Sequence, residues 1–109
     1  MAAYEDFDKL DIRAGRIVDV KDFPRARRPA YRLWIDFGTF GVKTSSAQVV
    51  TYYRPEDLMG RQVVAVTNFP PKQVANFWSE VLVLGVYDRA GGVVLLRPDR
   101  EVGLGDRIG

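Results

Sequence analysis

Tyr52-Tyr53-Arg54-Pro55-Glu56-Asp57-Leu58-Met59-Gly60 decides the architecture, because it is the mid-chain stretch that reads as a turn plus one short helix. Pro55 suits a first helical position and Gly60 suits a stop. The next segment, Gln62-Val63-Val64-Ala65-Val66-Thr67-Asn68-Phe69, is nearly continuous apolar and β-branched, the pattern of a strand covered on two faces. Glu80-Val81-Leu82-Val83-Leu84-Gly85-Val86-Tyr87 repeats that pattern. Asp88-Arg89-Ala90-Gly91-Gly92 is a turn, and Val93–Arg97 is a further apolar strand ended by Pro98.

Working back from the helix, residues 31–37 alternate cleanly. Tyr31, Leu33, Ile35 and Phe37 share one face, and Arg32, Trp34 and Asp36 share the other. Gly38-Thr39-Phe40-Gly41 closes a hairpin to Val42–Ser46. Residues 11–23 also alternate, with Ile12, Ala14, Val18 and Val20 in one phase. Arg16 and Ile17 break the phase just after Gly15, which predicts a bulge or sharp bend. Three strands, a helix and two strands in that order give an OB-type barrel. The expected fold class is all-β with short helices: a five-stranded barrel with N- and C-terminal extensions, one domain over 1–109. Tyr4, Phe7 and Leu10, spaced by three, predict one or two helical turns that must dock on something. The tail carries Val102, Leu104 and Ile108 among glycines. Apolar surface exceeds what one small barrel can cover, so a homodimer is expected.

The composition narrows the chemistry. The chain has 109 residues, enough for one domain, and neither cysteine nor histidine. Thiol nucleophiles, Cys/His zinc sites and imidazole bases are therefore excluded. No metal, no cofactor and no enzymatic activity is expected, since the carboxylates are scattered and no phosphate-binding glycine loop is present. The acidic N-terminus lacks the basic and apolar regions of a signal peptide, and no apolar run reaches membrane-spanning length. A soluble cytoplasmic protein without membrane insertion is expected. Sixteen Lys+Arg stand against 14 Asp+Glu, an excess too small to decide a partner by itself.

Three segments are candidates for function. Asn68-Phe69-Pro70-Pro71-Lys72 leaves a core strand through two stiffening prolines, and Phe77, Trp78 and Ser79 follow in what reads as a loop. Neighbouring residues in extended chain point opposite ways, so at least one of Phe77 and Trp78 should stay exposed. Such a loop can present an aromatic, a lysine and amide groups to an apolar peptide or a stacked base, with Arg16 at the rim. Arg25, Arg27, Arg28 and Arg32, with Lys21, form an arginine-rich loop that suits phosphates as well as it suits solvent. Lys43-Thr44-Ser45-Ser46-Ala47-Gln48 could line a polar site or satisfy a local turn. The nucleic-acid candidates are thus Arg25, Arg27, Arg28, Arg32, Lys43, Ser45, Ser46 and Lys72.

At this point a family resemblance is visible. Lys9-Leu10-Asp11-Ile12-Arg13-Ala14-Gly15-Arg16-Ile17-Val18, Ile35-Asp36-Phe37-Gly38, Ser45-Ser46-Ala47-Gln48, Asn68-Phe69-Pro70-Pro71 and Ser79-Glu80-Val81-Leu82-Val83-Leu84-Gly85 resemble the CsaA family of bacterial export-related chaperones. More distantly, the chain is similar to the tRNA-binding domain appended to methionyl-tRNA synthetases. The resemblance implies an OB-fold homodimer that binds unfolded or pre-secretory polypeptides without ATP, with links to the export machinery. It also implies descent from a tRNA-binding fold, so a structure-specific tRNA or single-stranded RNA binder is the alternative. Carried across by position, Asn68 and Ser79 match polar positions of the wider motif, and Lys72 supplies a charge in the same loop. The chain departs from the tRNA-binding pattern at Asn76 and Trp78, and it lacks a Gly-Met pair after Ser79.

Overall fold

A computed structural model describes all residues, 1–109, and its centre is a five-stranded antiparallel sheet curled into a nearly closed barrel. The sheet runs β3-β2-β1-β4-β7, with β1 at Ile12–Asp22, β2 at Tyr31–Asp36, β3 at Val42–Ala47, β4 at Gln62–Val66 and β7 at Leu82–Val83. Helix α2, Pro55–Leu58, sits between β3 and β4, as the sequence predicts for an OB-type order. Pro55 starts it, the Asp57 carboxylate accepts the Arg54 N–H (2.9 Å), and Gly60 leaves it at φ +80.

The long first strand serves two neighbours. Its first half pairs with β4 from Ile12↔Val66 to Arg16↔Gln62, and its second half pairs with β2. The register slips between Ile17 and Asp19, so the bulge falls at Val18, close to the predicted phase break. Gly15 lies just before it, and a Cβ there would come within 2.7 Å of Ile35 and Phe37, so only glycine lets these strands approach. Ile17, Leu33, Ile35, Phe37, Leu58 and Val63 are fully buried inside the barrel. Each such side chain contributes roughly 1.5–3 kcal/mol of burial.

The tail extends this frame. The Ala14 N–H donates to Asp106 O (2.9 Å) and the Ile108 N–H to Ile12 O (2.8 Å), so residues 106–108 run along β1 on the side opposite β4. Arg13 secures it by donating to Gly105 O (2.8 Å) while stacking on Phe40, its Cζ 4.0 Å from the ring centre.

Three expectations need correction. The Phe77-Trp78 region is a hairpin rather than a loop: β5, Lys72–Val74, pairs with β6, Phe77–Ser79, through the tight turn at Ala75 and Asn76. The apolar run from Glu80 to Tyr87 is not one doubly covered strand. It divides into β7 and β8, Gly85–Tyr87; β8 is exposed throughout and pairs only with β9, Val93–Leu95. Helix α1, Tyr4–Asp8, buries none of its residues fully: Phe7 is about half covered and Tyr4 is exposed, so its apolar edge is only partly docked within the chain.

Candidate functional site

The open seam of the barrel forms a groove of about 810 Å³. Its floor is the end of β3 and the two residues after it, Ser45 to Val49. One wall is the chain from Val81 to Gly85, and the other is Phe69, Pro70 and the β5–β6 hairpin through Lys72 and Ser79. Arg28, from the β1–β2 loop, stands at the rim. Sequence reading thus singled out seven residues that meet here: Arg28, Ser45, Ser46, Phe69, Pro70, Lys72 and Ser79. Ser45 is only 1% exposed and offers the groove no more than its floor.

The hairpin is fastened over the barrel by aromatic contacts. The half-buried Phe77 ring lies edge-on to Phe23 (centroids 5.5 Å apart) and to Trp34 (5.7 Å). Arg32 lies over the Phe23 ring and Lys21 over Trp34, which extends the stack with two cations. Arg32 also donates to Asp22 O (3.0 Å). On the opposite side of the same strand Trp78 is 57% exposed. It borders a shallow recess of about 530 Å³ shared with Pro71, Thr44 and Glu80. The alternation expected of Phe77 and Trp78 therefore resolves with Phe77 inward and Trp78 outward.

Glu80 and Ser79 stitch the seam. The Glu80 carboxylate accepts the Thr44 N–H (3.1 Å) and the Thr44 hydroxyl (2.9 Å), and Ser79 Oγ accepts the Ser46 N–H (3.0 Å). Glu80 thereby turns its charge to the seam, leaving Arg28 and Lys72 as the cations at the groove's edge.

Other candidates lie elsewhere. Arg16 donates to Gly60 O (2.8 Å) and to Glu101 (2.6 Å), tying the tail to the end of α2 away from the groove. That hydrogen bond holds the Glu101 carboxyl below its ordinary range. Asn68 is a tether: its carbonyl accepts the Asp11 N–H (2.8 Å) and its amide donates to Lys9 O (2.8 Å). Thr67 donates its N–H (2.7 Å) and hydroxyl (2.8 Å) to Asp11 O, so the base of the Phe69-Pro70 wall is pinned to the start of β1. Burial pushes Asp11 up, but hydrogen bonds from Arg13 and Thr67 and the charges of Arg13 and Arg107 hold it below the usual carboxylate range. Arg25 and Arg27 are exposed on the loop beside Arg28, and Lys43 does not reach the groove.

Sequence reading missed part of the lining. Gln73 and Val74 are hidden by the loop assignment, and Leu82, Val83, Gly85 and Tyr87 by the single-strand reading of that run. Apolar strand residues carry no signal of facing a ligand until the seam is known to be open.

Comparison with known proteins agrees with this geometry. The family described as "Putative tRNA binding domain" matches residues 12–107. Among curated proteins, the methionine–tRNA ligase of Pyrococcus abyssi is 41% identical over 105 residues; the match takes in 96% of this chain but 14% of that enzyme. The solved structure of the chaperone CsaA from Bacillus anthracis superposes with a TM-score of 0.95 at 56% identity, covering 100% of this chain and 99% of that one. CsaA from Picrophilus torridus superposes with a TM-score of 0.94 at 52% identity over 100% of both chains. The chain belongs to the tRNA-binding-domain family and, within it, to the CsaA chaperones.

Proposed function

We propose that this protein holds extended, partly apolar polypeptides in the seam groove without ATP. The observation that carries the reading is the groove's mixed lining. Phe69, Pro70, Val81, Leu82 and Val83 offer apolar contact, while Ser46, Ser79, Arg28 and Lys72 offer hydrogen bonds and positive charge. A site of this kind suits chains whose backbone is unpaired and whose side chains vary. Trp78 and Pro71 extend the contact surface past the hairpin. Because Asn68, Pro70 and Pro71 restrain that wall, little conformational entropy is lost on binding. The membership in the CsaA group and the resemblance noted above support clients that are unfolded or pre-secretory, in the cytoplasm, with delivery toward export.

The working unit in this reading is a homodimer. Tyr4 (91% exposed), Tyr87 (89%) and Val86 (52%), with Phe7, Val94 and Leu96, leave apolar surface uncovered on the single chain. A five-residue helix whose apolar edge is only partly covered is too short to persist alone. A cleft of about 1030 Å³ between α1 and the tail residues Arg107 and Ile108 offers a second copy a place to pack.

A second reading, binding of tRNA or single-stranded RNA, is favoured by exposed Arg25, Arg27 and Arg28 next to the Arg32–Phe23 and Lys21–Trp34 stacks. Suppression of client aggregation, measured beside tRNA gel shifts over a salt series, separates the two. The polypeptide reading expects aggregation to be suppressed with little salt dependence. Steeply salt-dependent tRNA binding without suppression would select the RNA reading. In that case, changing Arg25, Arg27 and Arg28 to Ser should flatten the slope by about 0.7–0.9 log units per lost phosphate contact.

A further inference from the structure

We infer that the recess beside Trp78 receives a lysine or arginine side chain of the polypeptide held in the seam groove. The inference rests on the polypeptide reading above and deepens it, because it gives the client a charge requirement. The chain has two tryptophans, and they differ in what covers them. Lys21 stands over the Trp34 ring at 5.2 Å. Trp78 is exposed and has no cation of its own chain above it. Beside it stands Glu80, and the two share the recess with Pro71 and Thr44. Thr44 fixes the arrangement. Its N–H (3.1 Å) and its hydroxyl (2.9 Å) both meet Glu80 Oε1, and the same hydroxyl lies 2.7 Å from Trp78 O. Glu80 Oε2 is left with no partner within the chain and is open to solvent, and Glu80 enters no ion pair. A held carboxylate next to the negative face of an uncovered indole attracts a cation from outside the chain.

Charge separates the recess from the groove. Lys72 pairs with Ser79, the neighbour of Trp78, so alternation turns Lys72 to the other face of the hairpin, where it lines the groove. Glu80 borders both the groove and the recess, so a chain that leaves the groove past Glu80 arrives at Trp78. The combined site is positive at Arg28 and Lys72 and negative at Glu80. A lysine or arginine suits the shallow recess: its apolar stem can lie along Pro71 and the indole while its charged head stays partly hydrated beside the carboxylate. A nucleotide fits it less well, because its phosphate would face the same carboxylate. The matching client therefore carries a basic residue at one end of an apolar stretch.

The test compares fluorescein-labelled peptides of alternating valine and serine that differ in one end residue: lysine, norleucine or glutamate. Both termini are blocked, the label sits at the far end, and the variable residue is placed at the amino end in one set and the carboxyl end in the other. A length of about ten residues, at ~3.3 Å each, spans the 31 Å middle dimension of the domain. Norleucine keeps the stem of lysine and replaces its ammonium by methyl. Anisotropy with the intact protein should show lysine binding about five- to tenfold tighter than norleucine in one of the two sets. The net charge of +2 and the cations of the groove favour the reverse order, with glutamate first, so bulk attraction does not produce this result. Glu80→Gln keeps an oxygen for Thr44, and Trp78→Leu keeps an apolar side chain on an exposed face. Each should bring the ratio of lysine to norleucine affinity close to one, and if either variant fails to fold the other decides. Equal binding of lysine and norleucine, or tightest binding of glutamate, overturns the inference alone and leaves the polypeptide reading standing. A lysine preference that survives both substitutions places the cation elsewhere and overturns it as well. Loss of tRNA binding in Trp78→Leu with peptide binding unchanged would give the ring to a stacked base, with the same consequence. No binding by any of the peptides, or by heat-unfolded client chains, removes both readings.

Discussion

The two small hairpins of this protein have the same plan and opposite chemistry. Each is a pair of three-residue strands joined to the barrel at one end. The first, β5–β6, is fastened by Phe77 between Phe23 and Trp34 and leaves Trp78 outward. The second, β8–β9, leaves Val86, Tyr87 and Val94 exposed and is held at its tip by a carboxylate. Asp88 accepts the N–H groups of Ala90 (3.1 Å) and Gly92 (2.9 Å) and the hydroxyl of Tyr52. A hairpin locked down on its own barrel can wall a ligand groove. A hairpin that keeps its apolar side chains outward suits the second copy proposed above, although its Tyr87 also borders the groove.

The largest effect should come from charging the second hairpin. Val86→Asp with Val94→Asp would bury unpaired carboxylates in the proposed dimer interface, at a cost of about 3–5 kcal/mol for a buried uncompensated charge. Light scattering should report the 12.3 kDa chain instead of a dimer, with an unchanged circular dichroism spectrum. A wild-type chain that is already monomeric at micromolar concentration would break the comparison at once.

Phe77→Ala tests the first hairpin's lock. Loss of a half-buried ring with two edge-on partners should destabilise by about 2 kcal/mol, lowering Tm by roughly 10 °C. Trp78→Ala, one residue on, should leave Tm nearly unchanged and weaken client binding by about 1–2 kcal/mol, as for a contact anchor. Equal melting effects for the pair would mean that the inward and outward assignments fail.

The smallest effect is one of pH. The Tyr52 hydroxyl and the backbone N–H groups hold the Asp88 carboxyl below its ordinary 3.8. A carboxylate lowered on folding stabilises the folded form above that value, and the benefit fades as pH falls through the lower folded value. Protection of the amides in 85–95, taken relative to their intrinsic exchange rates, should therefore fall in acid, while protection in 72–79, held by rings, stays constant. Asp88→Asn should remove the acid dependence of the second hairpin.

What the sequence disclosed follows from how far its patterns run. The alternation of 31–37 and the Pro55–Gly60 helix are long enough, or punctuated enough, to place the barrel strands without ambiguity. Strands β5 and β6, at three residues each, are too short for a period to register, and Pro70-Pro71 makes the region read as loop. The Glu80–Tyr87 run misled because apolar composition cannot distinguish a buried strand from one that awaits a partner. Asn68 and Arg16 read as peptide-site residues from their chemistry and neighbours. Their tertiary partners, Asp11 and Lys9 for one and Gly60 and Glu101 for the other, are distant in sequence, and composition gives no sign of them.

Amide chemical shifts of the protein titrated with an extended, unlabelled client peptide test the central claim most directly. The account predicts that the perturbed amides are those of 45–49, 69, 72–74 and 79–85, with the β8–β9 tip and the loop at 25–28 unmoved apart from Arg28. Perturbations centred on Val86 and Val94, or on Arg25 and Arg27, with the groove amides still, would contradict it.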